Sequence, residues 1–248
     1  MYDNHVPVNV TILPTPEAAS ARVADIIEAL LVARPEAVLA LPAGNTPRPV
    51  YVELARRHQA QRLSFARATA FTLDEYAGLA PDHREAFRRT LQEGLFRHVD
   101  LPRARAHGPD ATAADLGDAC ARYEQAIAAA GGFDLCLLGI GGNGHVAFNE
   151  PGSPLDSRTR VVDLADDTRA AAAAAFGAEP VPARALTIGI ATILSARRCV
   201  LLATGAAKAG VVARAIQQPP SPSLPASALQ LHPAATFVLD AAAASRLA

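Results

Sequence analysis

Two stretches of this chain hold residues able to move protons. In Gly139-Ile140-Gly141-Gly142-Asn143-Gly144-His145, four glycines fall within six residues just before a histidine, and Glu150 follows in the next short segment. Such glycine density means tight turns, or a backbone that lets a ligand come close. An imidazole with a nearby carboxylate is a proton-shuttling pair, because the acid orients the ring and tunes its pKa. The second stretch, Leu73-Asp74-Glu75-Tyr76, puts two adjacent carboxylates after an apolar run. Solvated end caps look the same in sequence. Asp74, however, falls on the strand face of Thr72, and a carboxylate partly buried over a pocket has a raised pKa and becomes a proton-transfer base.

Two further segments suit an anion. Pro42-Ala43-Gly44-Asn45-Thr46-Pro47 is a small turn feeding a helix, where free N–H groups and the helix dipole favour a phosphate. No Gly-Lys-Ser/Thr follows, so it is not a Walker loop, and a capped turn without ligand fits the same residues. In Thr204-Gly205-Ala206-Ala207-Lys208 stands the only lysine among 23 basic residues. A cation in a first helical turn is disfavoured by the dipole, a penalty that an anion bound at the same place reverses.

These segments follow apolar runs, which is where an open α/β sheet binds ligands. Strands are expected at Val8–Leu13, Ala37–Leu41, Phe71–Leu73, Phe133–Ile140, Cys199–Ala203 and within Leu229–Asp240. Helices are expected at Pro16–Ala33, from Pro47, and at Arg84–Phe96, Ala111–Ala130 and Ala206–Ile216, with Gln217–Ser227 an ordered loop or partial lid. Strand, glycine-containing loop and helix alternate. The fold expected is α/β, a modified Rossmann-like, doubly wound and mostly parallel sheet with helices on both faces, in one domain over residues 1–248.

Composition narrows the function. A net charge of −1 lacks the basic excess of a nucleic-acid surface. No apolar run reaches the roughly 20 residues of a membrane span, and MYDNHVPVNV is unlike a signal peptide. Cys120, Cys136 and Cys199 form no disulfide framework. A cytoplasmic protein is expected, and a homo-oligomer is compatible with this composition.

The chain resembles the glucosamine-6-phosphate deaminase family, within the broader group that includes 6-phosphogluconolactonases. The resemblance runs through LALPAGNTP, FTLDEYAGL, LLGIGGNGHVAFNEPGSPLDSRTR, ALTIGIATIL, ATGAAKAG and LQLHP. NGHVAFNEP is highly specific, and FNEP with Tyr76 points to the amino-sugar branch rather than the lactonase branch. The resemblance implies a metal-free, cofactor-free aldose–ketose isomerisation of a phosphorylated 2-amino sugar, with loss of ammonia. Asp74 would carry a proton between C2 and C1. His145 would open the pyranose ring with Glu150 and Asn143 in support. Ala43, Gly44, Asn45, Thr46, Gly141, Gly142 and Lys208 would hold the sugar and its phosphate.

Several positions depart from the family pattern. Asn143 stands where Asp is common, so the imidazole is expected to protonate less easily. Ala174 stands where a phosphate-contacting Arg is common, leaving Arg169 or Arg160 to replace it. Phe87 lacks an expected aromatic hydroxyl. Val162 replaces a Lys of allosterically regulated relatives although Arg160 is kept, so strong activation by an acetylated sugar phosphate is not expected. Gluco- and galacto-configured substrates both remain open, beside a 6-phosphogluconolactone hydrolase and a non-catalytic sugar-phosphate-binding module.

Overall fold

The computed structural model describes residues 8–248. Its first half runs β1 (Asn9–Leu13), α1 (Pro16–Ala33), β2 (Val38–Leu41), α2 (Arg48–Gln59), β3 (Thr69–Thr72), β4 (Asp74–Tyr76), α3 (Phe87–Gly94), β5 (Ala106–His107) and α4 (Leu116–Ala129). There follow β6 (Leu135–Leu138), β7 (Arg160–Asp163), α5 (Asp166–Phe176), β8 (Arg184–Thr187), α6 (Ile190–Leu194), β9 (Cys199–Ala203), α7 (Ala209–Gln217) and β10 (Ala235–Asp240). Helix α1 keeps its expected bounds for local reasons. The Thr15 hydroxyl accepts from Ala18 N–H at 3.2 Å, Pro16 opens the first turn, and Val23, Ile26, Ile27 and Leu31 bury one stripe.

Seven parallel strands form the main sheet in the order β1-β10-β9-β6-β2-β3-β5. Alternate residues feed two cores, as a two-residue side-chain period requires. Cys136, Leu138, Leu201 and Phe237 pack on one face, and Leu135, Leu137, Val200 and Val238 on the other. Burial on both sides explains the unbroken apolar runs that mark these strands in the sequence.

A second sheet, β4-β8-β7, is antiparallel and was not anticipated. Its strands are three or four residues long, too short for a periodic signal. Only Leu73 separates β3 from β4, so the chain steps directly from one sheet to the other, and Leu73 C=O accepts from Ile188 N–H at 2.9 Å.

Three helices are shorter than their composition suggests, and side-chain caps account for two of them. Asp115 accepts from Asp118 N–H at 3.0 Å, so α4 begins at Leu116 rather than Ala111. Glu75 accepts from the N–H groups of Phe87 and Arg88, so α3 begins at Phe87 rather than Arg84. The expected helix from Ala206 is a 3₁₀ turn, Ala206–Lys208, followed by α7. Likewise Pro225–Leu231 is a 3₁₀ segment, which delays β10 to Ala235. No helix among the described residues is long and apolar enough to cross a membrane.

Candidate active site

The sheet order reverses at β2: β3 lies on one side of it and β6 on the other. A crevice opens at such a switch point, beyond the carboxyl ends of the strands. Four neighbouring strands, β9, β6, β2 and β3, deliver to that edge the four segments singled out by their chemistry.

After β6 the Gly-rich turn ends at His145. Gly141 N–H donates to His145 C=O at 2.9 Å, and Gly144 N–H to Gly141 C=O at 3.1 Å, which curls the backbone. A Cβ on Gly141 would lie 2.2 Å from His145 Cε1, so glycine is required where the imidazole folds over the turn. Gly144 has φ +94°, and a Cβ there would strike Leu224 Cδ1. Segment 217–227 is therefore packed against the turn. Ala226 N–H donates to Gly144 C=O at 2.9 Å and Gly152 N–H to Pro222 C=O at 2.8 Å, so the segment walls the turn on this side.

His145 Nδ1 lies 3.5 Å from Glu150 Oε2, with both side chains largely buried. The Asn143 amide donates to the same Glu150 oxygen at 2.8 Å, and its Oδ1 accepts from His145 N–H at 3.1 Å. Asn143 thus grips the carboxylate and the main chain rather than the imidazole ring. Burial would raise the Glu150 pKa, but contacts from His145, Thr168 and Asn143 outweigh it and hold it down to about 2.

Asp74 is 6% exposed, and no described residue hydrogen-bonds its carboxylate in the structure. Burial, reinforced by the adjacent Glu75 charge, pushes its pKa well above the usual carboxylate range. Glu75 points elsewhere. It accepts from the N–H groups of Tyr76, Phe87 and Arg88, each at 3.0 Å, and so ties α3 to β4.

One residue joins Asp74 to the His145–Glu150 segment. Thr187 pairs with Asp74 across β4 and β8, while its hydroxyl accepts from Phe148 N–H at 3.0 Å in the His145–Glu150 segment. Fully buried Asn149 adds to this clamp. Its amide donates to Val146 C=O at 3.0 Å and Ile188 C=O at 2.8 Å, and its oxygen accepts from Arg160 at 2.8 Å.

Lys208, half-buried, donates to Ile140 C=O at 2.8 Å and so stands over the Gly139–Gly144 turn. Burial lowers its pKa. Buried Asp240 anchors the loop ahead of it by accepting from Gly205 N–H at 3.0 Å. After β2, Ala43 is half-buried and Gly44 and Asn45 are exposed, and α2 starts without a side-chain cap. The side chains of Asn45 and Thr46 therefore do no capping, and the helix itself offers little to an anion: Arg48 N–H is taken by Asn45 C=O at 3.2 Å, and Pro47 and Pro49 carry no N–H, so donors would have to come from the turn ahead of it. No group of three His, Cys, Asp or Glu side chains among the described residues is placed to hold a metal ion.

A family model described as glucosamine-6-phosphate isomerases/6-phosphogluconolactonase matches residues 15–238. The chain belongs to this family. It is 52% identical over 241 residues to a glucosamine-6-phosphate deaminase of Rhodopirellula baltica, covering 97% of this chain and 96% of that one. A protein of the same name from Arthrobacter is 48% identical, with 97% and 93% covered. Among solved structures, one described as a monomeric glucosamine-6-phosphate deaminase superposes with a TM-score of 0.94 at 42% identity, covering 96% of this chain and 100% of that one. A 6-phosphogluconolactonase from Trypanosoma brucei, at 24% identity and TM-score 0.76, shares the fold.

The positions at which this chain was expected to depart from the family pattern can now be placed. Arg160 is held by Asn149 and by Ser153 Oγ at 2.9 Å, so it braces the turn and is not free to replace a missing phosphate ligand. Ala174 is exposed on α5, and Arg169 on the same helix lies 3.5 Å from Asp166. Phe87 packs on Tyr76 and Phe148, and Val162 packs against this aromatic cluster. Thr187, Asn149 and Asp240 escaped the sequence reading, and so did the part Glu75 plays in capping α3. Each is a common residue type whose partner lies far along the chain, and only their places inside ALTIG and FNEP set the first two apart.

Proposed function

We propose that this chain is a glucosamine-6-phosphate deaminase, an enzyme converting the amino-sugar phosphate to a ketohexose 6-phosphate and ammonia. The names of relatives at 52% and 48% identity favour the gluco over the galacto substrate. What carries the reading is the juxtaposition of a desolvated base with a separate imidazole–carboxylate pair, joined through Thr187.

The chemistry needs two proton transfers of different kinds. His145, backed by ionised Glu150, moves the proton between the ring oxygen and the C1 hydroxyl as the pyranose opens. Asp74, ionised for this step, takes the C2 proton of the open aldehyde and returns it to C1. With the aldehyde oxygen gaining the proton that the nitrogen gives up, C1 becomes a hydroxymethyl group and C2 an imine, which water hydrolyses to the ketone with release of ammonia. A carboxylate with raised proton affinity is the stronger base for a weakly acidic C–H. Lys208 and the Ala43–Thr46 turn bind the phosphate, with the Gly141–Gly142 backbone beside the sugar, so binding energy is drawn from the end remote from the reacting carbons.

Ammonia release on mixing the protein with glucosamine 6-phosphate tests the reading. Asp74→Asn should lower kcat by a factor of about 10³ or more, since a general base is removed. Turnover of 6-phosphogluconolactone without ammonia release from any phosphorylated 2-amino hexose would overturn it.

A further inference from the structure

A second concave site lies away from the catalytic crevice, at the β3–β5 end of the main sheet. It is a half-open cleft of about 580 Å³, in the size range of small-molecule sites. Its walls come from α3 (Arg88, Arg89, Gln92), from Arg103 ahead of β5, and from the ends of β3 and β5 (Thr72, His107). None of Asp74, Asn143, His145, Glu150 or Lys208 lines it.

Several polar groups in this cleft have no partner within the fold. Arg57 on α2 is met by Glu53, Asp25 and Glu28. By contrast, the side chains of Arg88, Arg103, Gln92 and His107 make no hydrogen bond or ion pair with any described residue. Arg89 is engaged by Glu93 at 2.8 Å and donates to Asp82 C=O at 2.7 Å. Asp82 is the single carboxylate among the lining residues, against three arginines. At the floor, Thr72 is 2% exposed and its buried hydroxyl has no hydrogen-bond partner. A buried, unsatisfied hydroxyl in a cleft that also carries two unpaired guanidinium groups, Arg88 and Arg103, is what a bound anion would complete.

We propose that this cleft binds a small phosphorylated molecule carrying several negative charges, at a site distinct from the substrate's. Arg88 and Arg103 grip the phosphate oxygens from opposite walls, while Pro81, Phe96 and Leu101 offer apolar surface to the remainder. The site has a short route to the catalytic base. Arg88 N–H donates to Glu75 at 3.0 Å, and Glu75 and Thr72 flank Leu73-Asp74 in the chain. An occupant that shifts α3 therefore acts on the strand carrying Asp74, which makes the cleft a place for regulation.

Calorimetric titration with inorganic tripolyphosphate, on the intact chain without substrate, tests this assignment. Wild type should bind. Arg88→Gln/Arg103→Gln should weaken binding at least about tenfold, the factor that one charge-assisted contact commands. Thr72→Val, which keeps the volume and removes the hydroxyl, should weaken it in the same direction. Lys208→Gln should leave this binding within about twofold, because that residue belongs to the other site. Both arginines are exposed and unbonded, so the double variant should fold normally by circular dichroism. Absence of binding by wild type at millimolar concentration, undiminished binding by the double variant, or loss of binding in Lys208→Gln would each overturn the proposal. Ammonia release plays no part in these readouts, so the cleft stands or falls apart from the enzymatic reading.

Discussion

Two carboxylates in this crevice are driven in opposite directions, and their surroundings account for it. Glu150 receives the Asn143 amide and faces His145, so it stays ionised down to a pH of about 2. Asp74 is buried, receives no such donor and has Glu75 as its neighbour, so its proton is held to higher pH. With Asp74 as the proposed base, the acid limb of kcat/KM should be set by its ionisation, with activity rising as it loses its proton. Glu75→Gln removes the like charge while keeping one acceptor for α3. It should move that limb to lower pH, and an unmoved limb would show that Asp74 does not titrate in it. Asn143→Asp should act in the other direction. It replaces a donor 2.8 Å from Glu150 Oε2 with a second acid, and two carboxylates at that distance share a proton. The expected outcome is an acid limb displaced upward in a pH–rate profile and a lower rate on its acid side.

At the scale of the element, the Gly139–Gly144 turn exists to let a ring lie across backbone. Gly141→Ala forces the imidazole off a space only 2.2 Å from the new methyl. A side chain moved by about 1 Å from its productive geometry costs on the order of 10² in rate. We expect that loss in kcat, with the melting temperature little changed because the turn is on the surface edge of the sheet. Ala147, two residues after His145, adopts φ 49°, a left-handed conformation rare outside glycine. The Val146–Asn149 turn holds it there through the two Asn149 amide bonds. Backbone strain at this point is offset by the clamp on which His145 and Glu150 depend.

Over the whole molecule, the proposed active crevice and a cohesive polar cluster lie at opposite ends of one sheet. At the amino ends of β2 and β6, buried Asp134 accepts from Val38 N–H at 2.8 Å and meets Arg197 at 2.8 Å and Arg34 at 3.0 Å. Asp134→Ala leaves Val38 N–H unpaired in the core and should cost about 2 kcal/mol in denaturant melts. Its kcat/KM should stay at the wild-type value, since the crevice is at the other edge. Loss of activity without loss of stability would contradict this separation.

Much of this arrangement was legible in the chain because it rests on local rules. A strand buried on both faces must be apolar throughout, a turn that carries a ring must be glycine, and a proton relay needs an acid and an imidazole. FDLCLLGI, Gly141 and His145 each satisfied one of these by residue type alone. The small sheet, the Glu75 cap on α3, the Thr187 bridge and the Asn143–Glu150 contact obey no local rule. Thr187 meets Phe148 across 39 positions, and Glu75 meets Phe87 across 12. Hydrogen bonds between such distant and ordinary residues are set by which strands become neighbours. That choice is made by packing the whole core, and it alone determined which carboxylate keeps its proton and which gives it up.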